Sequence, residues 1–131
     1  MEKTLIIIKP DGVKRKLIGN IIKKIENKGY EIEQMIMKEI PKEVLMQHYE
    51  EHRDKPFFQD LLDYMTSGKS VIMVVSGDRV IEGMRKLIGA TNPLEAEPGS
   101  IRGMYASNKT QNIIHGSDSK ESALKEIQLF F

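Results

Sequence analysis

Thr4-Leu5-Ile6-Ile7-Ile8 is almost continuously apolar and rich in β-branched residues, and Lys9-Pro10-Asp11-Gly12 follows it at once. A run without polar alternation has no solvent face, so it predicts a strand covered on both sides. Pro-Asp-Gly carries turn chemistry and should end the strand. Downstream, Leu17, Ile18, Ile21, Ile22 and Ile25 recur at helical spacing up to Gly29, which supplies a stop. A second strand is expected from Glu31 to Glu39.

Pro41 and Pro56 each stand where a helix can begin. Leu45 with Tyr49, and Phe58 with Leu61, Leu62 and Met65, have the matching periodicity. Val71 to Val75 reads as a third buried strand, and Asp78 as the cap of a helix ending at Gly89. From Ala90 to Gln111 the chain reads as irregular, with a short strand expected around Met104 to Ser107. Asp118 and Glu121 form an Asp-x-x-Glu arrangement that predicts a last helix through Ile127. Strands followed by helices in this order imply an α+β domain of the split βαβ type, with helices packed on one sheet.

The chain has 131 residues, which suits one domain over 1–131 with a real core. Lys and Arg number 20 against 19 Asp and Glu, a balance that disfavours a nucleic-acid binder relying on bulk positive charge. There is no cysteine, hence no disulfide and no thiolate metal site. No signal-peptide core and no membrane-length apolar stretch is present, so a soluble cytoplasmic protein is the expectation.

Two motifs suggest chemistry and fail on inspection. Gly68-Lys69-Ser70 looks like the end of a phosphate-binding P-loop, but the required upstream glycine falls on Asp63 and the segment precedes a strand. His48 and His52 stand four apart, a spacing that can bring two imidazoles to one metal. No carboxylate follows in a zinc-protease pattern, so they read as solvated or partly packed histidines. Asn112-Ile113-Ile114-His115-Gly116-Ser117-Asp118 is more informative. A histidine after an apolar pair and just before a capped helix is either structural or an exposed nucleophile or general base. Gly116 would keep a side chain from crowding the ring, and Ser117 and Glu126 could hydrogen-bond around it.

This segment resembles the active-site signature of nucleoside diphosphate kinases. Three further stretches agree in order and spacing: Lys9 to Val13, Arg53 to Phe58, and Gly89 to Pro93 followed by Pro98 to Gly103. Together they span essentially the whole chain. The resemblance implies a ferredoxin-like βαββαβ sandwich, a four-stranded antiparallel sheet covered by helices. It also implies a ping-pong transfer of the γ-phosphate of a nucleoside triphosphate to a nucleoside diphosphate, by way of His115. Lys9, Tyr49 and Glu126 match the family's other catalytic positions, Glu126 being the carboxylate that orients the imidazole. Lys9, Phe57, Arg85, Thr91, Arg102 and Asn112 match substrate-binding positions, Phe57 as the ring on which the base stacks. The implied cofactor is Mg2+ carried on phosphate oxygens with no protein ligand, and the implied assembly is a homo-oligomer, tetramer or hexamer. The chain departs from the pattern at Met104, where aspartate is usual, and at Lys109-Thr110-Gln111, where Lys109 replaces a valine of the base clamp. It stops at Phe131, short of a tail that contributes to subunit contacts in many of those enzymes.

Overall fold

The computed structural model describes residues 1–109 and 111–131, so Thr110 of the departing stretch lies outside the described residues. Strands β1 (Glu2–Ile8), β2 (Glu31–Lys38), β3 (Ser70–Gly77) and β4 (Ile114–Gly116) form one sheet in the order β2-β3-β1-β4. Every neighbouring pair is antiparallel. The helices are α1 (Pro10–Lys14), α2 (Ile18–Asn27), α3 (Lys42–His48), α4 (Phe58–Met65), α5 (Val80–Ile88), α6 (Ile101–Tyr105) and α7 (Lys120–Phe130). The result is the expected α+β sandwich on a four-stranded antiparallel sheet.

Strand geometry explains why β1 and β3 are apolar throughout. Successive side chains point to opposite faces. Ile6 and Ile8 join Met73 and Val75 in one core with Ile21 and Ile25 of α2 and Met84 and Ile88 of α5. Leu5 and Ile7 join Ile72 in a second core with Leu45 of α3, Leu62 and Met65 of α4 and Phe130 of α7. Helices therefore cover both faces. Burying each such aliphatic side chain contributes roughly 1.5–3 kcal/mol. β2 lies at the sheet edge, and its register with β3 shifts between Ile32 and Gln34. Among the described residues no helix is long and apolar enough to cross a membrane.

Four local expectations are corrected. Pro10-Asp11-Gly12 does not merely turn, because proline at the first helical position starts α1 directly after β1. Met104 to Ser107 is not a strand. Ser100 accepts a hydrogen bond from the Gly103 amide and donates to the Glu97 carbonyl, closing a helical turn that runs to Tyr105. The fourth strand is instead Ile114–Gly116, three residues that carry His115. The caps also shift: Arg79, in the left-handed region, precedes α5 while Glu2 accepts from the Ile81 amide, and Ser119 rather than Asp118 caps α7.

Gly89 ends α5 with φ 95 and ψ 173, a conformation essentially confined to glycine. A Cβ there would lie 2.4 Å from Ser100 Oγ and 3.1 Å from Ala96 Cβ. Gly89→Ala should accordingly destabilise the fold by at least about 1–3 kcal/mol from backbone strain alone. Chemical denaturation measures this. A change below about 0.5 kcal/mol would mean that the turn and the α6 cap relax freely.

Candidate active site

Register decides which face His115 occupies. It pairs with Ile7 across the β1–β4 ladder, and directly opposed residues share a face. Ile7 belongs to the core under α3, α4 and α7, so His115 is turned toward α3 and α7. There its Nε2 lies 2.8 Å from Glu126 Oε1, a residue of α7. Ser117 Oγ donates to the same oxygen at 2.8 Å and accepts from the Leu5 amide at 3.2 Å. Burial pulls the Glu126 carboxyl upward, but the His115 hydrogen bond and charge, with Ser117 and His48, outweigh it and hold it below the usual range. An ionised carboxylate can only accept, so Nε2 carries the imidazole proton and Nδ1 keeps its lone pair.

The chain enters β4 through a strained turn. Ile113 is fully buried at φ 77, rare for a β-branched residue, and the Ile114 amide donates to the Asn112 carbonyl at 2.9 Å. This is a γ-turn, whose left-handed centre costs of order 1–3 kcal/mol. Its product is alignment: the Lys9 amide donates to the Ile113 carbonyl at 2.7 Å, extending the ladder past β1. Lys9 Nζ then donates to Asn112 Oδ1 at 2.9 Å, and Asn112 Nδ2 to the Thr91 carbonyl at 3.3 Å. Gly116 serves packing against α5 more than freedom around the imidazole, since a Cβ there would lie 2.7 Å from Ile88 Cδ1.

Arg102 is almost buried and donates to three backbone carbonyls: Ile114 at 2.6 Å, Gly89 at 3.1 Å and Asn112 at 3.4 Å. It thus staples the loop after α5 to β4, a role that the sequence did not suggest. A guanidinium has donors to spare beyond these. Arg85 is exposed on α5 and reaches the Gly116 carbonyl at 3.5 Å. The cations oppose one another. Burial, then the Arg85 charge, lowers Arg102 to about 10. Burial, then Arg102, lowers Lys9 to about 8, with Asp11 pulling the other way. A polyanion would relieve that repulsion.

All nine residues singled out from the sequence line one cavity of about 710 Å³: Lys9, Tyr49, Phe57, Arg85, Thr91, Arg102, Asn112, His115 and Glu126. That volume suits a small-molecule ligand. Phe57 is 47% exposed, as a stacking ring must be, whereas Phe58 packs against the core. Tyr49, at the end of α3, has its phenol pushed up by burial and by the Glu126 charge, so it stays protonated. Lys109 and Asp60 also line the cavity.

His48 and His52 are partly packed, one of the two readings that their spacing left open, and both border the site. α3 ends at His48, so His48 and His52 do not share a helical face. His48 has a side chain only 4% exposed and lies against His115. His52 lines the cavity beside Phe57, with ring centres 5.4 Å apart and a buried Nδ1 that has no partner among the described residues.

His48, His115 and Glu126 bring ligand-type atoms within 4.8 Å of one another. Imidazoles suit zinc-class ions more than magnesium, and the nearest pair is already joined by a hydrogen bond. Among the described residues the cavity holds no oxygen cage for magnesium. Its carboxylates are Asp60, Asp118 and the engaged Glu126, which fits a cation arriving on phosphate oxygens.

A family model described as Nucleoside diphosphate kinase matches residues 2–131. A nucleoside diphosphate kinase of Methanocaldococcus jannaschii is 55% identical over 99% of this chain and 93% of its own length. One from Listeria innocua is 53% identical over 100% of this chain and 89% of its own. Among solved structures, the Encephalitozoon cuniculi enzyme aligns with a TM-score of 0.98 at 44% identity, covering 100% of this chain and 89% of that one. The Halobacterium salinarum enzyme in complex with CDP aligns at 0.96 and 42% identity, over 99% and 87% of the two chains. The chain thus belongs to the nucleoside diphosphate kinase family, and is a transferase, a kinase that binds nucleotides.

Proposed function

We propose that the chain, as one catalytic domain over 1–131, moves the γ-phosphate of a nucleoside triphosphate to a nucleoside diphosphate by a ping-pong route through phosphorylated His115. The observation that carries this is the His115–Glu126 hydrogen bond, because it leaves the Nδ1 lone pair available in a cavity lined by cations. In the first half-reaction Nδ1 attacks the γ-phosphorus, an N–P bond forms, the bond to the β-phosphate oxygen breaks and the diphosphate leaves. Glu126 offsets the positive charge that grows on the ring. In the second, a terminal oxygen of another diphosphate attacks phosphorus and the N–P bond breaks, restoring the imidazole. Lys9, Arg85, Arg102 and Thr91 neutralise and hold the phosphates, and arginine's planar fork matches their oxygens. Asn112 holds Lys9 and meets the ribose. Phe57 stacks on the base, with little discrimination because every base has a π-face. Mg2+ carried on the nucleotide would neutralise phosphate charge, and Asp118, which lines the cavity, is a carboxylate that would bind through its waters.

Edge strand β2 exposes Met35 at 50% and Met37 at 53%, apolar area on an open sheet edge that supports a homo-oligomer. A monomeric mass by light scattering would remove that part of the reading.

Steady-state rates with two nucleotides varied should give parallel double-reciprocal lines, and His115→Ala should abolish exchange at unchanged Tm. Intersecting lines, or retained exchange in pure variant, would contradict the mechanism. Lys9 must be charged to hold phosphate, and its pKa in the free protein is lowered to about 8. Since kcat/KM reports the free enzyme, it should fall as pH rises through about 8, while kcat falls later because bound phosphate raises that pKa. An unchanged alkaline limb in Lys9→Arg, whose charge persists, would sink the assignment.

A further inference from the structure

We propose that His48 is a positioning residue for phosphoryl transfer: its buried ring wedges His115 so that Nδ1, and not Nε2, receives the phosphate. This rests on the reading above, in which His115 is the nucleophile. His48 is the last residue of α3, and its side chain is 4% exposed. Its ring meets His115 edge-on, with centres 4.9 Å apart and planes at 89°. Behind it, Phe130 of α7 stands 5.3 Å away at 75°, and Tyr49 closes the side at 4.5 Å and 62°. His48 is therefore held by its own aromatic neighbours and transmits that rigidity to His115.

The polar edge of His48 faces the same carboxylate. Its Nδ1 lies 4.0 Å from Glu126 Oε2, while Oε1 accepts from His115 and Ser117. At that distance there is no hydrogen bond. Nor is there an ion pair, because burial, then the charge of His115, lowers the His48 pKa to about 3 despite the opposing pull of Glu126. Lys9 and His52, the other charged or titratable groups acting on it, push the same way. A neutral ring at this place confines without adding charge to a site already crowded with cations. Packed edge-on against His115 and 4.0 Å from Glu126, it limits the rotation of both side chains. A His115 ring turned about its side-chain bond would lose the Nε2 contact and present the wrong nitrogen. Phosphoryl transfer depends on in-line placement, and misplacement by an ångström costs on the order of a hundredfold in rate.

The test uses full-length wild type, His48→Ala, His48→Phe and, as a control for general loosening, Leu45→Ala in the same helix and core. Each is mixed with γ-labelled ATP and Mg2+ in a rapid-quench single turnover. Phosphorus NMR of the base-denatured product then assigns the phosphorylated nitrogen, and ADP affinity and Tm are measured alongside. His48→Ala should slow phosphorylation by about ten- to a hundredfold, leave ADP affinity within a factor of about two, and yield a mixture of Nδ1 and Nε2 isomers. His48→Phe, which keeps a ring against His115, should recover the single Nδ1 isomer. Leu45→Ala should lose stability yet form that isomer alone. A wild-type rate and a single isomer in His48→Ala would overturn the proposal, and so would the same mixture in Leu45→Ala. Failure of the mixture to resolve in His48→Phe would overturn it as well. Absence of phosphate from wild-type His115 would instead bring down the mechanism and this inference together.

Discussion

The hydrogen bond between Glu126 and His115 Nε2 is the constraint around which the rest of the molecule is arranged. A free imidazole exchanges its proton between two nitrogens and rotates in solvent. Bonded to a carboxylate held ionised by its own partners, it has one tautomer, one orientation and one nitrogen with a lone pair. The bond joins the sheet to α7 across 11 positions of sequence and is braced by Ser117, whose hydroxyl also receives the Leu5 amide of the central strand. Any shift of α7 against β1 would move the carboxylate off the ring. Contacts between α7 and the face of β1 that carries Leu5 and Ile7 thus bear directly on the proposed chemistry.

The same arrangement works against stability elsewhere. Lys9 and Arg102 are buried with their charges facing each other. Ile113 is bent into a turn that β-branched residues avoid. The compensation lies close by: Asn112 accepts from Lys9, and three carbonyls take the Arg102 guanidinium. Strain and like-charge repulsion concentrated beside one imidazole, on a sheet otherwise filled with aliphatic side chains, are what a site prepared for a polyanion requires.

The long elements were legible because their periodicity is strong, as in Leu5 to Ile8 and Ile18 to Ile25. The candidate site was legible because His115, Lys9, Arg85 and Arg102 sit in motifs of fixed spacing, and the fold does bring them to one cavity. β4 escaped because three residues show no period, and a strand was expected at Met104 to Ser107, where Ser100 caps a helix instead. His48 escaped for another reason. Its partners, His115 and Phe130, lie far along the chain, and nothing local distinguishes a histidine that ends a helix in solvent from one that ends it in a core. Arg102's bonds to backbone carbonyls are equally invisible in sequence, since a carbonyl has no letter. Spacing identifies candidate groups, whereas only packing shows what holds them.

Uptake of phosphate by His115 Nδ1 is tested by isolating the phosphorylated chain. The protein is incubated with γ-labelled ATP and Mg2+, freed of nucleotide, and digested at alkaline pH for mass spectrometry. Close to one phosphoryl group per chain should be found, alkali-stable and acid-labile, on the peptide holding His115, and lost on adding any nucleoside diphosphate with formation of the matching triphosphate. Label that survives acid, lies on another residue, or fails to pass to a diphosphate would contradict that uptake.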